Sequence, residues 1–153
     1  MCSSDLEATP IRPIDPLAHR ALEALVRAQA NLTRRLAADL ERIGVSATGF
    51  TMLVLLTSAG GRLELRTMRR RLGASKATAT EVLDTLENRG FVSRSRLESD
   101  RRAVAVALTQ AGHSLVTHAF PAHAERVREA FGVLDETEKR QLADLCRKLD
   151  RAA

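Results

Sequence analysis

Residues 65–90 contain two short stretches with the spacing of amphipathic helices and almost no chain between them. Gly73 ends the first stretch, Ser75 can cap the second, and Gly90 is suited to terminate it. Apolar residues recur in each at three- and four-residue steps: Leu65, Met68 and Leu72, then Ala79, Val82, Leu83 and Leu86. Two short helices joined by a tight turn containing glycine are typical of a helix-turn-helix. The sequence therefore predicts this motif.

The next segment, SRSRLESDRRAVAV at 93–106, places four arginines between two β-prone runs. Phe91 and Val92 begin the first run, and residues 103–108 form the second, with the polar residues 98–102 between them. This pattern predicts a β-hairpin attached directly to the helix-turn-helix, which is a wing. The predicted fold class is therefore mainly α with a small β-hairpin wing.

Amphipathic helices are predicted on both sides of this winged helix-turn-helix. Leucines at helical spacing indicate one long helix over about 15–43, and a more uniformly apolar stretch indicates a core helix over about 46–58. Thr109 can cap a further helix, and Asp135 with Glu138 forms a capping box ahead of the last one. The 153 residues fit one domain, 1–153. We expect a DNA-binding core at about 46–108, flanked by dimerisation helices at about 15–43 and 109–151.

Positive charge is concentrated in the predicted motif. Residues 62–102 hold eleven Lys and Arg against six Asp and Glu, whereas the rest of the chain has thirteen of each, so the whole net charge of +5 lies in this segment. A concentrated basic face fits a polyphosphate partner, and double-stranded DNA is the partner that a helix-turn-helix binds. A merely solvated charged face is the simpler alternative, which the coupling to the motif disfavours.

Three groups of residues are predicted to contact DNA. The start of a recognition helix presents side chains to base edges, while cations on neighbouring elements hold phosphates. The predicted recognition-helix residues are Ser75, Lys76, Ala77, Thr78, Thr80 and Glu81. The predicted wing residues are Arg94, Arg96, Asp100, Arg101 and Arg102, and the predicted phosphate contacts are Arg66, Arg69, Arg70 and Arg71.

The order of these motifs resembles the MarR family of winged-helix transcriptional regulators over nearly the whole chain. In that family the wing carries Asp-x-Arg, matched by Asp100 and Arg102, and then Leu-Thr-x-x-Gly, matched by Leu108, Thr109 and Gly112. The resemblance implies that Arg102 enters the minor groove and that Asp100 orients its guanidinium. The alternative is that the two residues only fasten the wing tip.

The resemblance also implies a homodimeric repressor that binds a pseudo-palindromic operator. It further implies release from DNA by a small anionic or phenolic inducer bound between the dimerisation region and the winged core, with no required cofactor. One departure is Met68-Arg69, where relatives commonly have Leu-Ala. A long side chain there must extend out of the helix contact to keep its charge in water.

Other functions are disfavoured but not all are excluded by the sequence. No catalytic motif is present, so an enzyme is not expected. A nucleic-acid packaging protein without sequence preference stays open, as do a redox-responsive regulator through Cys2 or Cys146 and a metal-responsive one through His113, His118 and His123. The histidines' five-residue steps predict scattered positions around a helix and no metal site. Without a signal peptide or membrane-length apolar run, we expect no membrane contact and a cytoplasmic location.

Overall fold

The computed structural model describes residues 15–152, within which the chain forms six helices and a three-stranded antiparallel sheet. The helices are α1 (Pro16–Arg42), α2 (Ala47–Ser58), α3 (Leu65–Leu72), α4 (Lys76–Asn88), α5 (Gln110–Ala130) and α6 (Glu136–Ala152). The strands are β1 (Arg62–Glu64), β2 (Val92–Arg96) and β3 (Val104–Leu108). The predicted mainly α fold class with a small wing is confirmed.

Helix starts follow from local hydrogen bonds, and the sequence predicted those before α4, α5 and α6. The hydroxyl oxygens of Ser46, Ser75 and Thr109 accept hydrogen bonds from backbone N–H groups three residues later. Before α6, Asp135 and Glu138 exchange side-chain to backbone hydrogen bonds at 2.8 and 2.9 Å. Each bond satisfies an N–H group that has no acceptor within its own helix. These helices therefore begin within about one residue of the predicted positions.

The sheet has one strand more than the predicted hairpin. The hairpin itself is present, since β2 pairs with β3 from Val92↔Leu108 to Arg96↔Val104. On the other side of β3, the three residues of β1 pair in the register Leu63↔Val106. So short a segment cannot display the alternation that marks a strand. It becomes a strand because it pairs with β3, giving the sheet order β1-β3-β2.

The hydrophobic core joins α2 to the helix-turn-helix and the sheet. The largest fully buried side chains come from every one of these parts: Phe50, Met52, Leu53, Leu56, Met68, Leu83, Val92 and Val106. Burying each large apolar side chain contributes about 1.5–3 kcal/mol relative to leaving it in water. The elements predicted to contact DNA are therefore held by a core within one chain.

The outer helices bury much less. α1 packs against α2 and α5, yet Leu22 and Val26 in its first half stay exposed. No residue of α6, all of which the structure describes, is buried, and its Leu145 and Leu149 are each 60% exposed. Across residues 15–152 no single helix has the length and apolarity of a membrane span; α1 and α2 reach them only together, across an 81° bend.

Candidate nucleic-acid interface

The first turn of α4 presents small and polar side chains outward. The Ser75 hydroxyl accepts a hydrogen bond from the Thr78 backbone N–H at 3.1 Å and donates one to the Thr78 hydroxyl at 2.9 Å. All six predicted recognition-helix residues are exposed, whereas Ala79 and Leu83 on the opposite side of α4 are buried. The buried side fixes the helix on the core, and its exposed start is free to approach a groove.

A cleft of about 490 Å³ lies between α3, the start of α4 and the wing. It brings together four of the predicted cationic residues, which come from three separate parts of the chain: Arg66, Arg69, Lys76 and Arg102. Glu64 and Asp100 also border the cleft. Arg66 lies 3.6 Å from Glu64 in an exposed ion pair, a kind that stabilises proteins little. The cleft is therefore a net cationic surface that can accept a phosphate.

Arg69 occupies the position at which the sequence departs from the family pattern. Met68 is fully buried beneath α3, and Arg69 is half-buried where it borders the cleft. Its Nε atom is buried without a hydrogen-bond partner among the described residues. A buried unpaired donor costs free energy, so this position is less favourable than one with a bonded guanidinium.

The wing tip is held by hydrogen bonds to its backbone. The Asp100 carboxylate accepts from the backbone N–H of Arg102 at 2.9 Å, and Arg96 Nη1 donates to the backbone carbonyl of Arg101 at 2.8 Å. Asp100 thus fastens the turn, while the exposed side chain of Arg102 borders the cleft. The orienting bond from Asp100 to the guanidinium, which the resemblance implied, is replaced here by a bond to the backbone.

Arg94 points to α4, where it joins two acidic residues in what we name the Arg94 clamp: Asp84, Glu87 and Arg94. Its Nε lies 2.8 Å from Glu87 Oε2, its Nη2 lies 2.6 Å from Asp84 Oδ1, and its backbone N–H donates to Glu87 Oε1 at 3.1 Å. The side chain is only 28% exposed. These hydrogen bonds lower the pKa of Glu87 and raise that of Arg94. The clamp ties the first wing strand to the recognition helix.

The remaining predicted phosphate contacts, Arg70 and Arg71, are exposed on α3 but do not border the cleft. Sequence reasoning also missed Glu64 and Glu87 as parts of this site. Glu64 was missed because it lies in β1, a strand that the sequence did not predict. Asp84 and Glu87 lie three residues apart and therefore share a face of α4. Two acidic residues on one face of α4, a few residues before the wing arginine Arg94, could have predicted the clamp.

A second cavity, of about 160 Å³, lies between the last turns of α1 and the middle of α5. Its lining combines aliphatic residues with an ion pair between Asp39 and Arg126. The His123 ring lies 4.9 Å from that of Phe50, burial lowers the pKa of His123, and its buried Nδ1 has no partner among the described residues. His118 also borders this cavity, although the five-residue step between the two histidines places them at different angles around α5.

Residues suited to redox or metal sensing are not clustered. Within residues 15–152 no three His, Cys, Asp or Glu side chains are grouped as metal ligands. Cys146 is exposed on α6, and Cys2 lies outside the described residues. His113, the first of the three spaced histidines, is exposed. The structure therefore gives the redox and metal alternatives no observation in their favour.

Comparison with known proteins gives matches in sequence and in structure. The MarR family model matches residues 45–104. The transcriptional repressor MprA of Escherichia coli K12 is 32% identical over 107 residues, covering 69% of this chain but only 61% of MprA. The HTH-type transcriptional regulator YkoM of Bacillus subtilis is 34% identical over 110 residues, covering 72% of this chain and 71% of YkoM.

A solved structure shares the fold over most of its length. Bordetella bronchiseptica BpsR, whose DNA binding is regulated by 6-hydroxynicotinic acid, aligns with a TM-score of 0.74 and 25% identity, covering 85% of this chain and 98% of BpsR. The family model, by comparison, matches only residues 45–104. The match therefore covers more of the chain than the family model does.

Proposed function

The chain belongs to the MarR family, and on that premise we propose that it is a sequence-specific DNA-binding transcriptional regulator. The observation that carries the proposal is the cationic cleft, where α3, α4 and the wing contribute Arg66, Arg69, Lys76 and Arg102 beside the exposed start of α4. DNA binding needs such convergence, because phosphate contacts supply most of the affinity while a helix start reads base edges.

In the proposed complex, the start of α4 lies in the major groove. Lys76 reaches guanine or phosphate, and Ala77 and the threonine methyl groups approach thymine methyls. Arg102 enters the minor groove, where a narrow A·T-rich groove attracts arginine. Arg96 and Arg101 on the wing contact the phosphates of the DNA backbone, as do the four arginines of α3. Because the clamp already pairs Arg94, we assign it the role of holding the wing against α4.

The regulator is proposed to act as a homodimer through the predicted helices at about 15–43 and 109–151 of its single domain, 1–153. The exposed leucines of α1 and α6 support this, since such apolar faces mark interaction surfaces. A two-fold dimer places its recognition helices in half-sites about 10 base pairs apart. Repression is proposed because the similar MprA is a repressor.

A small anionic or phenolic effector is proposed to bind the cavity between α1 and α5. Its volume suits a single aromatic ring, with His123 offering an imidazole and Arg126 a cation among the aliphatic lining residues. BpsR, which is similar to this chain, is regulated by a ligand of that size and charge. The effector must bind dimers of one half-site spacing more tightly than dimers of another, because a ligand with equal affinity for both would not change their populations. We propose no enzymatic activity, no required cofactor and a cytoplasmic location.

The deciding experiment is fluorescence anisotropy of the full chain on intergenic DNA beside its own gene, compared with a shuffled duplex over a salt series. A sequence-specific regulator is expected to prefer the natural duplex by about a thousandfold or more. Equal binding to both duplexes would overturn the proposal in favour of a packaging protein. Metal or peroxide added to the same assay tests the metal- and redox-responsive versions.

Variants identify which arginines contact DNA. Arg102→Ala is expected to weaken binding by about 1–3 kcal/mol, because it removes a groove contact. Arg70→Ala, as a phosphate contact, is expected to flatten the salt slope by about one unit. Arg147→Ala on α6 is the matched control and leaves both quantities unchanged. An unaltered affinity for Arg102→Ala would remove the wing from the interface.

A further inference from the structure

Arg89, which follows the last residue of the recognition helix α4, reaches across to the end of α1. Its Nη2 donates to the Ile43 carbonyl at 3.0 Å, and its Nη1 donates to the Gly44 carbonyl. The last carbonyls of a helix have no partner within it and carry partial negative charge. A guanidinium supplies hydrogen-bond donors to these carbonyls and a positive charge beside their partial negative charge. Arg89 is thus a cap for α1 that is contributed by the end of α4.

The α1 side of this contact requires a glycine. Gly44 has φ +67°, a left-handed conformation, and a Cβ added there would lie 2.5 Å from Arg89 Nη1. Any other residue would be strained and would also crowd the guanidinium. Glycine at position 44 therefore permits both the 81° bend between α1 and α2 and the close approach of Arg89.

The residues after Arg89 contact the start of α5, as Arg89 contacts the end of α1. The Arg89 guanidinium lies 5.0 Å from the centre of the Phe91 ring. The Thr109 hydroxyl donates to the Gly90 carbonyl at 2.5 Å, and its backbone N–H donates to the Phe91 carbonyl at 3.1 Å. A Cβ added at Gly112 would lie 2.1 Å from that Phe91 oxygen. We name residues 89–91 the α4 exit turn; α1 holds one side of it and α5 the other.

The α4 exit turn lies between two parts of the molecule with different roles. The recognition helix ends at it, whereas α1 and α5 line the second cavity and carry the proposed dimer surface. In a two-fold dimer, the separation and rotation of the two recognition helices depend on how each α4 is fixed to its own α1 and α5. We infer that Arg89 is a positioning residue that sets which half-site spacing the dimer accepts. This inference rests on the proposed function.

A spacing assay tests the inference. Once a bound operator is known, anisotropy would be measured on that operator, on versions with one or two base pairs inserted between the half-sites, and on a single half-site. Each inserted pair rotates one half-site by about 35°, since the duplex turns once in about 10–10.5 pairs. The wild-type protein is expected to prefer the natural spacing by at least tenfold.

Arg89→Met keeps an unbranched, flexible side chain but removes the guanidinium and its donors. We expect it to reduce the preference for natural spacing about tenfold, while its affinity for a single half-site stays within about twofold of wild type. Arg42→Met, an exposed arginine in the last turn of α1, is the matched control and keeps the wild-type preference. If Arg89→Met does not fold, Arg89→Lys, which keeps a cation but loses the forked geometry, is expected to reduce the preference partially.

The outcomes separate the inference from the function on which it rests. A folded Arg89→Met or Arg89→Lys variant that discriminates spacing as strongly as wild type overturns the role of Arg89 and leaves the DNA-binding proposal intact. A wild-type protein that binds every duplex alike overturns the proposed function itself. A variant that loses half-site affinity as well as spacing preference contacts DNA or supports α4 generally, which also overturns the inference.

Discussion

The winged core and the outer helices differ in how completely a single chain buries them. Phe50, Leu53 and Leu83 in the core are at most 1% exposed, whereas Leu145 and Leu149 on α6 are each 60% exposed. Helix α4 in the core and helix α6 among the outer helices both carry apolar residues at helical spacing in the sequence. The difference teaches that periodicity predicts a face to be covered but does not say by which chain. The part that is proposed to read DNA is buried within one copy, and the outer helices are proposed to be covered by a second.

The two regions also differ in their links to the recognition helix. The Arg94 clamp ties α4 to β2 within the winged core, and the α4 exit turn ties α4 to α1 and α5. The first link keeps helix and wing as one unit. The second connects that unit to the surfaces proposed for dimerisation and effector binding. Substitutions in the two links should therefore have different consequences.

Leu83→Ala is expected to produce the largest loss of stability. Removing a fully buried leucine side chain costs about 2–5 kcal/mol of unfolding free energy, because it loses burial and leaves a cavity. Urea denaturation measures the loss. The control is Leu149→Ala, which removes an exposed leucine of α6; Phe131→Ala is less suitable because Phe131 is half-buried. The control is measured at dilutions where the chain is monomeric. An equal loss in both variants would contradict the contrast between core and outer helices.

Leu145→Asp should show its main effect in assembly. If a second copy covers α6, a charge placed there forfeits about 1.5–3 kcal/mol of apolar burial per copy, or about 3–6 kcal/mol per dimer, which raises the dimer dissociation constant roughly 100- to 10,000-fold. Sedimentation over a concentration series measures it. Lys139→Gln, an exposed change at the start of the same helix, alters the net charge by the same one unit and is the control. A wild-type chain that stays monomeric at high concentration would refute the dimer.

Arg94→Gln tests whether the clamp positions the wing without contacting DNA. Loss of its charged hydrogen bonds to Asp84 and Glu87 is expected to cost about 1.5–3 kcal/mol in stability, DNA affinity or both. The salt slope should stay at the wild-type value, because no phosphate contact is lost. Arg96→Gln, on the same strand but exposed, should flatten the slope instead. A weaker dependence of DNA affinity on salt for Arg94→Gln than for wild type would show that Arg94 contacts DNA.

The features that were predictable from sequence depend on neighbours in the chain. Ser75 caps α4 through Thr78, three residues away, so its role is visible in the local pattern. Arg89 bonds carbonyls 45 and 46 residues away, which no local pattern shows. β1 forms only because β3 is beside it, and the Asp100 carboxylate accepts from the backbone N–H of Arg102, where the resemblance implies a bond to the guanidinium. Long-range contacts and competing hydrogen-bond donors are what the sequence left undecided.

His123 offers the smallest expected effect, and it lies where the two regions meet. Burial against Phe50 lowers its pKa, so the folded chain binds a proton there less readily than the unfolded chain does. Stability is therefore full above the ordinary pKa of about 6.5 and falls as pH drops from there toward the lowered value. Asp39, His118 and Arg126 border the same cavity and contribute to its charge.

His123→Phe keeps an aromatic ring against Phe50 and removes the titration. Thermal unfolding between about pH 7.5 and 5.5 should therefore show a smaller loss of melting temperature for this variant than for wild type. His113→Phe, an exposed position on the same helix, is the control and should lose as much as wild type. If His123→Phe and wild type lost stability in parallel, protonation at this cavity would not be coupled to folding. The cavity would then be connected to the winged core through packing alone.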